Sequence, residues 1–206
     1  PSVHGERMPT VLMVCTANQC RSPMAEVLLR DVLRRHGLDG RIRVASAGVW
    51  AEDGLPATDF AVQAMLERGL DLRSHASRRA SPEVLEASSV ILAMTEAHRR
   101  SLQALVPQLA PRIFLMTEMA GEDWSIADPV GGPLGGYRVL AGVMADLLER
   151  GVPRLAELAG IEPETRGPAA ADGDSPGSDR PAAPPAGSPE RNGVSSARPA
   201  HRDRRG

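Results

Sequence analysis

The amino-acid sequence predicts an α/β domain in three layers, with helices on both faces of a four-stranded parallel sheet. Three observations predict it. Short β-branched runs alternate with longer stretches whose apolar residues recur at i, i+3 and i+4. The longer stretches carry helix punctuation, with Gly37 and Gly69 after two of them and Ser81-Pro82 before another. Aromatic residues make up 2% of the chain against 42% hydrophobic residues, so the core is expected to be aliphatic.

The elements follow in order. Residues 10–15 form an apolar run of strand length, far too short to span a membrane. Residues 24–36 read as a helix closed by Gly37, and residues 41–46 as the second strand. A helix over 58–68 stops at Gly69, and Ser81 is an expected N-cap with Pro82 at the first helical position of a short turn. The third strand is expected over 89–94, a helix over 96–106, the fourth strand over 112–116 and a last helix over 134–150. Such alternation is flavodoxin-like in outline, and its ligand site belongs at the carboxyl ends of the strands.

The domain is expected to occupy residues 8–160. Residues 161–206 are dense in Pro, Gly, Ala, Ser and Arg with few large apolar side chains, the composition of a disordered, solvated tail. All 24 basic side chains of the Lys+Arg count are Arg, and the formal net charge of −2 points to neither nucleic acid nor an acidic membrane surface. Residues 1–9 lack the apolar core of a signal peptide, and two cysteines make no disulfide framework, so a cytoplasmic protein is expected.

The chemistry is concentrated between Val11 and Glu26. A hydrophobic strand ends at Cys15, and Ser22-Pro23 opens a helix. The five residues between Cys15 and Arg21 can curl so that successive N–H groups face inward. That nest, set on a helix N-terminus, suits a phosphate dianion. Helix N-termini and nearby cations also favour the thiolate form of a cysteine, so Cys15 is expected to attack phosphorus. Arg21 supplies a planar fork for two phosphoryl oxygens. Ser22 is placed to donate a hydrogen bond to the Cys15 sulfur when it leaves. A bare Cys-x5-Arg spacing arises by chance, as an inert buried cysteine with an arginine nearby; the strand before it and Ser-Pro after it favour the catalytic reading.

Val14 to Glu26 resembles the signature of the low-molecular-weight protein tyrosine phosphatase family, Val-Cys-x-Gly-Asn-x-Cys-Arg-Ser-Pro-x-Ala-Glu. It departs at Ala17, where the family usually has Gly, a residue that tolerates dihedrals Ala resists. Ser46-Ala-Gly48, His75, Leu92-Ala-Met-Thr95 and Asp128-Pro129 extend the similarity over the expected domain. The resemblance implies that Thr16, Ala17, Asn18, Gln19 and Cys20 form the phosphate-binding loop after the first strand. It also implies that Asn18, Ser22, Ser46 and His75 hold that loop by hydrogen bonds.

Phosphomonoester cleavage needs a proton donor for the leaving group and a base for the attacking water. Asp128 is the candidate on both chemistry and resemblance; Glu122 and Asp123 lie nearby without the motif. By resemblance, Cys20 can pair with Cys15 as a disulfide that shields the nucleophile from irreversible oxidation, though a small packing role is an equal alternative. No His or Cys spacing suggests a metal, so metal-free, cofactor-free catalysis is expected.

The expected substrate is a phosphorylated protein, with inorganic phosphate as product. Phosphotyrosine is the family default. Trp50 supplies a candidate aromatic wall, whereas Val130 follows Asp-Pro where tyrosine-specific members carry aromatics. Ser-Ala-Gly-Val-aromatic and Ile-Ala-Asp-Pro-x-Gly-Gly-Pro are similar to the bacterial protein arginine phosphatase branch. That branch carries Thr at the position of Gln19, and tyrosine-specific members carry an apolar residue. Phosphoarginine is thus the alternative substrate. A thiol-dependent arsenate reductase would need relay cysteines, and none follows Cys20. An inactive phosphopeptide-binding module would not need Cys15, Arg21 and Asp128 together.

Overall fold

A computed structural model describes residues 8–161. The segment read as a solvated tail therefore lies, from residue 162 onward, outside the described residues. The elements run β1 (Thr10–Cys15), α1 (Arg21–Arg35), β2 (Arg43–Gly48), α2 (Asp59–Leu66), α3 (Pro82–Glu86), β3 (Val90–Ala93), α4 (Glu96–Leu105), β4 (Ile113–Leu115) and α5 (Leu134–Leu158). The four strands pair in parallel in the order β2-β1-β3-β4, the doubly wound sheet expected.

β1 lies at the centre, with Met13 beside Ser46 of β2 and Leu92 of β3. Val11, Leu12, Met13 and Val14 are fully buried because both faces of the sheet are covered. Strand periodicity divides them. Val11, Met13, Val90 and Leu92 pack with α1, α2 and α5, through Leu29, Val32, Met65 and Met144 among others. Leu12, Val14, Ile91 and Ala93 face the other way, onto Leu85 of α3 and Leu102 of α4. No helix among the described residues is long and apolar enough to cross a membrane.

Boundaries differ from expectation in instructive places. α1 begins at Arg21, so Pro23 sits inside the first turn, where its missing N–H costs no helical bond. β2 runs to Gly48 instead of stopping at Ser46. Gly37 and Gly69 close α1 and α2 with left-handed φ of 69° and 76°. α5 continues eight residues past the expected end at Arg150, through Gly151 and Pro153. Burial of Leu148, Val152 and Leu155 carries it past these residues. Gly151 is needed there, since a Cβ would lie 2.7 Å from that of Met119. Two 3₁₀ segments, Pro107–Arg112 and Met116–Ala120, were not legible as elements.

Candidate active site

β1 delivers Cys15 to the carboxyl edge of the sheet, and the chain then turns through residues 16–20 into α1. The turn hinges on Asn18, whose φ of 56° makes it the only non-glycine residue with positive φ among those described. A left-handed residue with a side chain costs about 1–2 kcal/mol unless its surroundings hold it. Here they do. Asn18 Nδ2 donates to Ser22 Oγ at 2.9 Å and to Ser46 Oγ at 2.8 Å. Its Oδ1 accepts the Arg78 backbone N–H at 2.9 Å, and its carbonyl lies 2.6 Å from His75 Nε2. A carbonyl only accepts, so His75 carries its proton on Nε2. Behind this clamp, Ser46 donates to Glu26, which pairs with Arg30. Ala17 does not share the positive φ, which explains why a residue other than glycine fits there.

The second strand braces the loop from the side. Val49 N–H bonds Cys15 O and Trp50 N–H bonds Thr16 O, each at 2.9 Å. The approach is close enough that a Cβ on Gly48 would fall 2.5 Å from Thr16 O.

Cys15 is buried, with its Sγ 2.9 Å from Ser22 Oγ. Ser22 has one hydroxyl hydrogen and two acceptors for it, the Cys15 sulfur and Ala47 O at 3.2 Å. With a thiol at Cys15 the hydrogen serves Ala47; with a thiolate it can turn to the sulfur.

Arg21 is only 4% exposed. Its Nη1 donates to Ile126 O at 3.1 Å, and its Nη2 donates to Thr16 Oγ1 at 3.3 Å and to the Asp128 carboxylate. Nε is buried without a partner among the described residues. Asp128 stands at the mouth, its side chain 42% exposed, in a loop tied to the end of β3 by Ile126 N–H to Met94 O at 2.8 Å. Its second oxygen accepts the Val130 N–H at 3.2 Å. Glu122 is instead engaged by Arg150 and the Trp124 indole.

Cys20 is buried behind the loop. Burial pushes its thiol up to about 12, with the charges of Asp128 and Cys15 adding and Arg21 opposing. Gln19 faces outward: its Nε2 donates to Pro56 O at 3.0 Å, and its backbone carbonyl accepts the Thr58 N–H at 2.8 Å. Trp50 and Val130 are exposed, at 69% and 59%. Trp50 also lines a groove of about 330 Å³ with Arg79, Pro82, Leu102 and Leu105.

Cys15, Asn18, Ser22, Ser46 and His75 thus share one hydrogen-bond network and Arg21 and Asp128 a second, the two joined along the loop backbone into one site. Sequence reasoning missed three contributors to it: the Arg78 backbone, Glu26 and His98. His98, in the first turn of α4, is buried between Thr16 Oγ1, 2.9 Å from Nε2, and Thr95 Oγ1, 3.0 Å from Nδ1. Burial first, and then Arg21, lowers its pKa to about 4 against the opposing pull of Asp128. The available signal was Thr95, a helix N-cap with His three positions later.

A sequence profile described as low molecular weight phosphotyrosine protein phosphatase matches residues 10–164. A protein-arginine-phosphatase of Bacillus subtilis is 33% identical over 141 residues, covering 68% of this chain and 92% of that protein. A probable low molecular weight protein-tyrosine-phosphatase, EpsP, of Ralstonia solanacearum is 32% identical over 149 residues, covering 72% and 97%. Among solved structures, a YwlE arginine phosphatase mutant with a phosphorylated active-site serine superposes with a TM-score of 0.67 at 30% identity, covering 72% of this chain and 95% of that one.

Proposed function

This chain belongs to the low molecular weight phosphotyrosine protein phosphatase family and is a cysteine-dependent phosphatase, and from that premise we propose that it dephosphorylates phosphotyrosine in proteins through a cysteinyl-phosphate on Cys15. The observation that carries the assignment of residues is Arg21. A buried cation costs several kcal/mol unless it is fully paired. Among the described residues its partners are two neutral oxygens and one half-exposed carboxylate, while Nε has none. An oxyanion beside Cys15 completes the set.

In the first step the Cys15 thiolate attacks phosphorus and the bond from phosphorus to the phenolic oxygen breaks. Asp128, as the acid, gives its proton to that oxygen. The backbone N–H groups of residues 16–20 and the Arg21 fork hold the phosphoryl oxygens, with their grip strongest in the transition state. An incoming phosphoryl group competes with Asp128 for Arg21 Nη2, which frees the carboxyl for the leaving group. In the second step water attacks phosphorus and Asp128 takes its proton. The S–P bond then breaks, inorganic phosphate departs, and the Ser22 hydrogen turns to the emerging thiolate. Asn18, Ser46 and His75 keep the loop in place throughout. Cys20, held as a thiol, is the partner available to an oxidised Cys15. Two free cysteines at one site suit the reducing cytoplasm. We assign all of this chemistry to residues 8–160.

Trp50 and Val130, exposed on segments bonded to Thr16 and Asp128, offer apolar surface for a phosphotyrosine ring. A specific observation supports phosphoarginine as the second reading. One Gln19 Nε2–H is bound to Pro56 O, which orients the amide, and its Oε1 can accept from the N–H groups of a guanidinium. Side-by-side kinetics on phosphotyrosine and phosphoarginine peptides, repeated on Gln19→Thr, test the choice. The phosphotyrosine reading expects the larger kcat/KM on phosphotyrosine and is overturned by the opposite order.

A further inference from the structure

His98 takes no part in the steps above, yet both of its ring nitrogens are bonded to hydroxyls on two different elements at the edge of the phosphate loop. We propose that His98 is a positioning residue of this site: its Nε2 fixes the Thr16 hydroxyl, and Thr16 in turn fixes Nη2 of Arg21. The inference rests on the reading of Arg21 as the phosphate clamp.

Both tautomers of the ring keep the link. At the start of α4, Thr95 Oγ1 accepts the His98 backbone N–H at 3.2 Å and lies 3.0 Å from Nδ1. If the Thr95 hydroxyl donates to Nδ1, the ring proton sits on Nε2 and goes to Thr16; if Nδ1–H donates to Thr95, Nε2 accepts the Thr16 hydroxyl. Either way Nε2 is bonded to Thr16 Oγ1 at 2.9 Å, and Arg21 Nη2 donates to the same oxygen at 3.3 Å.

A buried imidazole needs both nitrogens bonded, and this one does not spend both on its own helix, because one partner lies on the phosphate loop. Nor does the imidazole serve as a second cation. It is 7% exposed, and burial together with the Arg21 charge, opposed by Asp128, keeps it neutral across the working pH range. A neutral ring can donate from one nitrogen and accept at the other, which a lysine or arginine in its place could not do. The α4 N-cap is thus linked through His98 and Thr16 to the guanidinium, across 82 residues of sequence between Thr16 and His98.

The test compares wild type, His98→Leu, His98→Gln, Thr16→Val and the His98→Leu/Thr16→Val double variant with p-nitrophenyl phosphate as substrate and vanadate as inhibitor. His98→Leu is expected to lower kcat/KM by about tenfold and to weaken vanadate in parallel. Gln can place an amide N–H near the position of Nε2, so His98→Gln is expected to stay within about threefold of wild type. Thr16→Val removes the same link, so it should match His98→Leu, and the double variant should be no worse than either single. Additive losses in the double variant, or a His98→Gln as impaired as His98→Leu, would overturn the inference in favour of plain packing. If His98→Leu does not fold, a Thr16→Val enzyme with full kcat/KM and vanadate affinity overturns it as well. An inert wild type would instead overturn the phosphatase reading beneath it, whereas an active wild type with an equally active His98→Leu overturns this inference alone.

Discussion

Replacing Asn18 tests how the loop is held. Asn18→Ala deletes three side-chain hydrogen bonds, to Ser22, Ser46 and the Arg78 N–H, and leaves their partners buried or half-buried. At a net of about 1 kcal/mol each, these amount to roughly 3 kcal/mol. Ala at a φ of 56° adds about 1 kcal/mol of backbone strain, for a total near 4 kcal/mol. Asn18→Gly loses the same bonds without the steric cost, and should recover on the order of 1 kcal/mol of it. Because the bonds hold a loop against the sheet edge, part of the loss appears as local opening, with kcat/KM down by about a hundredfold. Urea denaturation of the three proteins gives the stability differences, and p-nitrophenyl phosphate kinetics give the loop. If Asn18→Ala stays within about 1 kcal/mol and threefold of wild type, the clamp does not hold the loop. If Ala and Gly are equal, the left-handed turn carries no strain.

Further outcomes follow from the same geometry. Asp128→Ala should slow hydrolysis of phenyl phosphate, a poor leaving group, far more than that of p-nitrophenyl phosphate, and equal slowing removes Asp128 as the acid. His98 sets a pH dependence of stability between Arg21 and Asp128. Below pH 6.5 the unfolded chain binds a proton that the folded chain, with its pKa near 4, does not. Stability should therefore fall as pH drops from about 6.5 to 4, by at most about 3 kcal/mol, and this slope should be shallower in His98→Gln when both are followed by urea midpoints. Deleting the residues after Glu162 should leave kcat/KM for p-nitrophenyl phosphate unchanged, and a large loss would place part of the chemistry outside residues 8–160.

How much was legible depended on whether the signal was local. β1 announces itself because Val11 to Val14 are buried on both faces and form one uninterrupted apolar run. The loop was legible because nucleophile, clamp and helix start lie within eight residues, and Asp128 because proline follows it. His98 was not, because nothing in Thr-Glu-Ala-His states that a threonine on the opposite side of the sequence will meet the ring. The role of Arg78 is carried by its backbone N–H, which no side-chain pattern can signal. Gly48 reads as an ordinary strand-end glycine until the loop backbone is seen against it. The extension of α5 past Gly151 and Pro153 was hidden for the reverse reason: local breakers said stop, and tertiary burial of Val152 and Leu155 outweighed them.

The central claim is a covalent phosphoryl group on Cys15. Acid-quenching the wild-type enzyme during turnover of p-nitrophenyl phosphate, followed by peptide mass spectrometry, tests it most directly. The account predicts a phosphoryl adduct on the peptide carrying Cys15, absent when Cys15 is replaced by Ala. An adduct on any other residue, or turnover that persists in Cys15→Ala, would contradict it.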